Sequence, residues 1–153
     1  MPRFTFALEP LLKARRTIEQ GHQRIVAQVE RERLALEEKL RGQQGRIAEG
    51  KRLLQKALLG PVDAQTLRLH AMESIHLART AQRLVIELAG AHRRLEAARA
   101  ELIEATRRRR AVELLRERRF EQWNSAMQKA ETAAIDELAV IAAARARGTN
   151  DAL

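Results

Sequence analysis

Apolar residues return at helical spacing along almost the whole chain, and this periodicity constrains the fold more than any other feature. Up to residue 58 the apolar positions lie seven or four residues apart, about 3.6 residues per turn, as in a straight α-helix. Further along, the spacing alternates between three and four, as in a coiled-coil heptad. The sequence therefore predicts an all-α protein. The first seam comprises Leu11, Ile18, Ile25, Val29, Leu36, Leu40, Ile47, Leu54 and Leu58, and the second comprises Leu88, Ala91, Leu95, Ala98, Leu102 and Ala105.

One break interrupts this pattern, at Gly60-Pro61-Val62-Asp63. Gly60 suits a helix C-cap, Pro61 cannot continue a helix, and Asp63 is a good N-cap for the next one. The sequence predicts a first helix over residues 9–59, a turn at 60–63, a second helix over 64–147 ended by Gly148, and a tail at 148–153. We expect residues 1–153 to form a single coiled-coil domain.

Two amphipathic helices joined by a short turn cover their apolar seams most simply by packing against each other in antiparallel orientation. This pairing places Phe4 near Phe120, and it sets Gly42 and Gly45 against the second helix, which suggests a close approach there. The aligned pairs are Leu11 with Val112, Ile18 with Ala105, Ile25 with Ala98, Leu36 with Leu88, and Leu54 with Leu69.

The second helix is predicted to outreach the first, which leaves residues 123–147 without a partner in the chain. An apolar stripe nevertheless continues along this part. An exposed stripe of this kind indicates a surface that another chain covers, and frayed helix is the alternative. The stripe consists of Trp123, Met127, Ala130, Ala134, Leu138 and Ile141.

The chain is strongly basic, with 29 Lys and Arg against 20 Asp and Glu, a net charge of +9. This balance favours anionic partners. The densest charge is the arginine cluster, defined as Arg107–Arg110 with Arg116, Arg118 and Arg119. No aromatic residue is interleaved with it before Phe120, so an acidic protein surface suits it as well as nucleic acid does. A nucleic-acid-binding coiled coil and a purely structural spacer remain alternatives.

Several classes of function have no support in the sequence. The chain has no cysteine, and its four histidines do not stand at metal-ligand spacing. A two-helix rod offers no enclosed pocket for catalysis. We therefore expect no enzyme activity, no cofactor and no metal. We also expect no membrane-spanning helix and no secretory signal, which favours the cytoplasm.

Two end motifs resemble a known family. The residues Phe6-Ala7-Leu8-Glu9-Pro10-Leu11-Leu12-Lys13-Ala14-Arg15 match the opening F-x-L-x-x-L-L-x-x-R of the FliJ family of the flagellar type III export apparatus. The segment Leu115-Arg116-Glu117-Arg118-Arg119-Phe120-Glu121-Gln122-Trp123, followed by Asp136-Glu137-Leu138-Ala139, is similar to that family's C-terminal signature. Injectisome stalk proteins share this architecture and stay an alternative.

The resemblance implies an antiparallel two-helix coiled coil that inserts into the ring of the export ATPase, FliI, and promotes its assembly. It also implies contact with the export gate protein, FlhA, binding of chaperones that deliver export substrates, and a cytoplasmic position at the membrane-associated apparatus. The family tends to carry aromatics near the turn, but here none lies between Phe6 and Phe120. The residues expected to bind the ATPase ring are Phe120, Trp123, Met127 and Leu138 together with Arg107, Arg108, Arg109, Arg110, Arg116, Arg118 and Arg119. Those expected to contact the gate are Leu67, Leu69, Met72 and Ile75.

Overall fold

The computed structural model describes the backbone of residues 3–150 and the side chains of residues 3–144. It contains two helices, α1 (Glu9–Ala57) and α2 (Ala64–Asn150), and no strand among the residues described. The predicted all-α fold of two long helices, the second longer than the first, is confirmed.

The ends of the helices differ from the predicted ends in two places. The helix α1 ends two residues before the expected position, and its last turn is tightened by the Leu59 amide, which donates to the Lys56 carbonyl at 3.1 Å. No glycine among the described residues has positive φ, so Gly60 does not form the expected left-handed cap. The helix α2 continues through Gly148 to Asn150, and the rest of the predicted tail, residues 151–153, lies outside the described residues.

The start of α2 matches its prediction. The carboxylate of Asp63 accepts hydrogen bonds from the backbone N–H groups of Gln65 at 3.3 Å and Thr66 at 3.1 Å, and from the Thr66 hydroxyl at 3.0 Å. The backbone bond from Thr66 is the main reason that the pKa of Asp63 lies below its ordinary value. Asp63 is thus the N-cap of α2 and orients the chain as it leaves the turn.

The chain divides into two compact units. The hairpin unit consists of residues 17–106 and contains the turn. The terminal unit combines residues 3–16 with residues 107–150.

The two helix segments of the hairpin unit are antiparallel. Near the start of α1, the Thr106 hydroxyl donates to Glu19 Oε1 at 2.8 Å. Closer to the turn, Gln43 Nε2 donates to the Leu77 carbonyl at 3.1 Å in a buried position. Early residues of α1 therefore face late residues of α2, and late residues face early ones.

Most buried and half-buried residues of the hairpin unit recur at alternating spacings of three and four residues on both helices, the pattern of knobs-into-holes packing. The predicted heptad of α2 is confirmed, with Ala91 and Leu95 almost wholly buried. On α1 the seam comprises Glu19, His22, Val26, Val29, Arg33, Leu36, Leu40, Gln43, Ile47, Gly50 and Leu54, and on α2 it comprises Leu77, Ala81, Leu84, Leu88, Ala91, Leu95, Ala98, Leu102 and Ala105.

The predicted seam of α1 was wrong in its first half and at its last residue, Leu58, which is exposed and lies beyond the end of α1. Leu11, Ile18 and Ile25 are exposed, and the buried or half-buried positions lie one residue later in each case, at Leu12, Glu19 and Val26. The reason is that a coiled coil repeats every 3.5 residues, and several members of the true seam are polar. The apolar residues beside the seam therefore gave a spacing that matched the period of a straight helix.

The expected close approach at the glycines of α1 was also wrong. A Cβ atom added to Gly42 or Gly45 would meet no described atom within 4 Å. These glycines face open space, so they weaken the helix without improving the packing.

Candidate docking surface on the terminal unit

Three aromatic rings hold the terminal unit together. The ring centroids of Phe4 and Phe120 are 5.3 Å apart in an edge-to-face arrangement, and Trp123 lies 5.8 Å from Phe4 and 5.9 Å from Phe120. Aromatic pairs at such distances add about 1 kcal/mol to the free energy of burial. The predicted meeting of Phe4 and Phe120 is confirmed, and it fastens the segment before α1 onto α2.

An open groove of about 620 Å³ borders this aromatic cluster. Residues 3–8 form one wall, and Leu115, Arg119, Gln122 and Trp123 form the other. Phe6 also lines the groove. In the same unit, Leu12 is fully buried.

Glu113 is the acidic centre of the arginine cluster. Its carboxylate accepts hydrogen bonds from Arg16 at 3.0 Å, from Arg109, and from Arg110 at 3.4 Å. These bonds, that of Arg16 first, hold the pKa of Glu113 below its ordinary value. Since Arg16 belongs to α1 and Glu113 to α2, the bond also ties the two helices of this unit.

The remaining arginines of the cluster fall into two groups. Arg116 donates to Glu9 across the helices at 3.0 Å, and Arg110 also donates to Glu117 at 3.1 Å. Arg107 is exposed. Three more are exposed and form no ion pair with any residue that the structure describes: Arg108, Arg118 and Arg119. Part of the predicted cluster therefore braces the unit, and these three side chains extend into solvent.

The apolar stripe of α2 loses its cover after Met127. Trp123 and Met127 are half-buried, whereas every described side chain from residue 128 to residue 144 is exposed. Leu138 is 66% exposed, and Phe120, at the edge of the aromatic cluster, is 46% exposed. We call the residues Ala130, Ala134, Leu138 and Ile141 the uncovered stripe.

The four residues expected at the gate lie in the hairpin unit, in the first turns of α2. Leu67 lines a small cleft of about 170 Å³ with Leu54, Leu58 and the turn residues. Leu69, Met72 and Ile75 are more exposed than Leu67.

Sequence reasoning missed the importance of Leu12 and Glu113. Leu12 was overlooked because its neighbour Leu11 fitted the assumed period. Glu113 carried a usable signal, since a carboxylate three and four residues from arginines on one helix is placed to pair with them. No role was predicted for it from the sequence.

The described residues provide neither a candidate metal site nor a candidate membrane-spanning helix. No group of three or more His, Asp or Glu side chains there could hold a metal ion. No described helix combines the length and the apolar character that crossing a bilayer requires.

The comparison with protein families gives one match. The family model described as "Flagellar FliJ protein" matches residues 4–148 of the 153-residue chain. No significantly similar curated protein and no significantly similar solved structure is found. Because the match spans both helices and both end motifs, the chain belongs to the FliJ family, a family of non-enzymatic coiled-coil proteins of flagellar export.

Proposed function

We propose that this chain is the stalk of a flagellar export ATPase, and that the uncovered stripe docks inside the ring formed by the FliI-like subunits. The observation that carries the proposal is the loss of cover after Met127, where α2 continues as an amphipathic helix with no partner among the described residues. Leaving such a stripe in water forgoes about 25 cal/mol for each Å² of apolar surface, which docking would recover.

Charge would guide this docking. Arg108, Arg118 and Arg119 extend from the same unit without an internal partner among the described residues. Guanidinium groups pair well with carboxylates in a protein interface. We infer that they meet acidic groups on the ring, whereas Arg109, Arg110 and Arg116 mainly hold the unit in shape.

The stripe is tested by stimulation of the ATPase activity of the partner ring. Truncation after Gln122 would remove Trp123 and disturb the aromatic cluster, so the informative truncation ends at Lys129. We expect it to abolish stimulation while leaving the helical content of the remaining chain intact.

Point variants give a matched comparison. Leu138→Ser removes an apolar side chain from the stripe, and Val140→Ser removes one of nearly equal exposure, 68% against 66%, from the opposite face of the helix. We expect Leu138→Ser to weaken binding to the ring by about tenfold, which corresponds to about 1.4 kcal/mol. Val140→Ser should bind as the wild type does, and equal loss in both variants would contradict the proposal.

The gate is the second partner that we propose. Leu69 and Met72 are exposed apolar side chains in the first turns of α2, where they could insert into a hydrophobic cleft of the FlhA-like gate protein. Replacing both with Ser should reduce gate binding and leave ATPase stimulation unchanged. Gate binding that is retained in this variant would contradict the role of Leu69 and Met72 and leave Leu67 and Ile75 as the candidates.

The same framework assigns the chain to the cytoplasmic face of the export apparatus, where it would associate with the membrane only through its partners. Binding of substrate-delivery chaperones belongs to this proposal as well. A pull-down with purified chaperones, with the Lys129 truncation for comparison, would show whether they use the uncovered stripe.

A further inference from the structure

The segment before α1 packs on α2 with one of its two faces. Residues 3–6 belong to no helix, and their burial alternates: Phe4 and Phe6 are half-buried, whereas Arg3 and Thr5 are exposed. A period of two is that of an extended chain, in which successive side chains point to opposite faces. The inner face is fixed by the Phe4 ring in the aromatic cluster, so the outer face and one edge of the segment remain open to a partner.

The backbone of this segment has hydrogen-bonding capacity to spare. The N–H and C=O groups of Arg3, Phe4 and Thr5 form no hydrogen bond with any residue that the structure describes. The Phe6 carbonyl, in contrast, accepts a bond from the Glu9 amide at 3.0 Å, where α1 begins. An extended segment with an unpaired edge is the template to which a second extended chain adds through main-chain hydrogen bonds.

The groove of about 620 Å³ lies along this segment, and we call it the aromatic groove. Its lining contains two basic side chains, Arg3 on one wall and Arg119 on the other, and no acidic one. Neither arginine forms an ion pair within the described part of the chain, and Glu9, close by on α1, is bonded to Arg116 at 3.0 Å. The aromatic groove therefore combines an apolar lining with two guanidinium groups that suit carboxylate partners.

We propose that the aromatic groove binds an extended segment of another protein in which acidic and apolar residues alternate. About four residues of the partner, at about 3.4 Å each, would pair with residues 3–6. Its apolar side chains would point inwards and pack against Phe6, Leu115 and Trp123. Its acidic side chains would point outwards beside Arg3, as in a cross-strand pair of opposite charges, and Arg119 would add a second positive charge from α2.

The unpaired edge favours this occupant over an acidic helix. A helix satisfies its own backbone groups internally, so it would leave the N–H and C=O groups of residues 3–5 without a partner. An extended segment uses both the edge and the groove. The site is distinct from the contact of the uncovered stripe in the proposed function, although Arg119 contributes to both.

Calorimetric titration with synthetic peptides tests the proposal. The probe is an eight-residue peptide in which glutamate and leucine alternate. One comparison peptide places the four glutamates before the four leucines, and the other replaces each glutamate of the probe by lysine. We expect the full chain to bind the probe with a Kd below about 1 mM. Both comparison peptides should bind at least tenfold more weakly, because one loses the alternation and the other reverses the charge.

Matched variants locate the site on the chain. Arg3→Glu reverses a charge in the aromatic groove, and Lys129→Glu makes the same change at an exposed residue of the terminal unit outside the groove. We expect Arg3→Glu to weaken probe binding by tenfold or more and Lys129→Glu to bind as the wild type does. The proposal is overturned if the wild type does not bind the probe, if the block peptide binds equally well, or if the two variants have equal affinity.

ATPase stimulation separates this site from the stalk function. Arg3 is not among the residues proposed to meet the ring, whereas Arg119 is, so only Arg3 is changed in this comparison. Arg3→Glu should lose probe binding and stimulate the ATPase as the wild type does. Loss of both would show that the aromatic groove belongs to the ring contact, and would overturn a separate peptide site.

Discussion

Glu113 illustrates how one carboxylate organises a basic segment. Three arginines converge on it, and they lower its pKa in the folded chain. A lowered pKa means that the ionised carboxylate favours folding. This contribution is fully present above the unfolded value of about 4.3 and is lost as the pH falls through the lower folded value.

We therefore expect Glu113→Gln to lower the free energy of unfolding at pH 7 by about 1 kcal/mol, a modest loss because two of the three arginines are half exposed to solvent. The difference from wild type should shrink below about pH 4. Urea denaturation at several pH values measures it. Glu121→Gln, at an exposed residue, is the control and should change little, and a difference that persists at acidic pH would contradict the ion-pair explanation.

The glycines of α1 give a second prediction at this scale. Because Gly42 faces open space, Gly42→Ala should raise the free energy of unfolding by about 1 kcal/mol through helix propensity alone. Ala48→Gly, at another exposed position of α1, should lower it by a similar amount. Destabilisation by Gly42→Ala would mean that a neighbouring segment packs on this glycine.

At the scale of the helices, the seam of α1 contains several polar residues. Arg15, Glu19 and Gln43 occupy buried or half-buried heptad positions where apolar residues would give more stability. Polar seam positions of this kind fix the register of the pairing at a cost in stability. The bond from Gln43 to the Leu77 carbonyl is one such register contact.

Replacing Gln43 tests whether this contact lowers the stability of the folded chain while it fixes the register of the helices. We expect Gln43→Leu to raise the free energy of unfolding by about 1 kcal/mol, since it buries an apolar side chain in place of an amide. Gln44→Leu, at the adjacent exposed position, should change it by less than about 0.5 kcal/mol. Thermal and urea denaturation of both variants measure these changes. A loss of stability in Gln43→Leu would show that the Gln43 amide stabilises the fold as well as fixing the register of the helices.

The sequence determined the features that depend on regular spacing. The seam of α2 was predictable because Leu and Ala alternate along it, and the Asp63 cap was predictable because its position relative to Pro61 is a local signal. The seam of α1 was not, because polar Arg15 and Glu19 occupy its heptad positions while apolar residues lie beside them.

The candidate site divides in the same way. The meeting of Phe4 and Phe120 follows from antiparallel pairing, so it could be predicted. The separation of the arginine cluster into bracing and solvent-facing side chains could not, because Arg110 and Arg116 each had acidic partners available on their own helix or across the helices. Only coordinates decide between such pairings.

For the molecule as a whole, the division into two units predicts that they respond separately to mutation. Phe4→Ala removes the ring that touches both Phe120 and Trp123, at a cost of about 3 kcal/mol. Hydrogen exchange should accelerate over residues 107–123 of the terminal unit and stay unchanged in the hairpin unit. A uniform acceleration along the chain would instead indicate one cooperative structure.

Trp123 is the only tryptophan of the chain, and it is half-buried against two phenylalanine rings near the point where α2 loses its cover. The intrinsic fluorescence of the unmodified protein therefore originates at one place, beside the uncovered stripe. A molecule that lands there will change the polarity around the indole and shift its emission without any attached dye. Trp123 is therefore an intrinsic fluorescence probe next to the expected binding surface, and its emission can be used to measure partner binding.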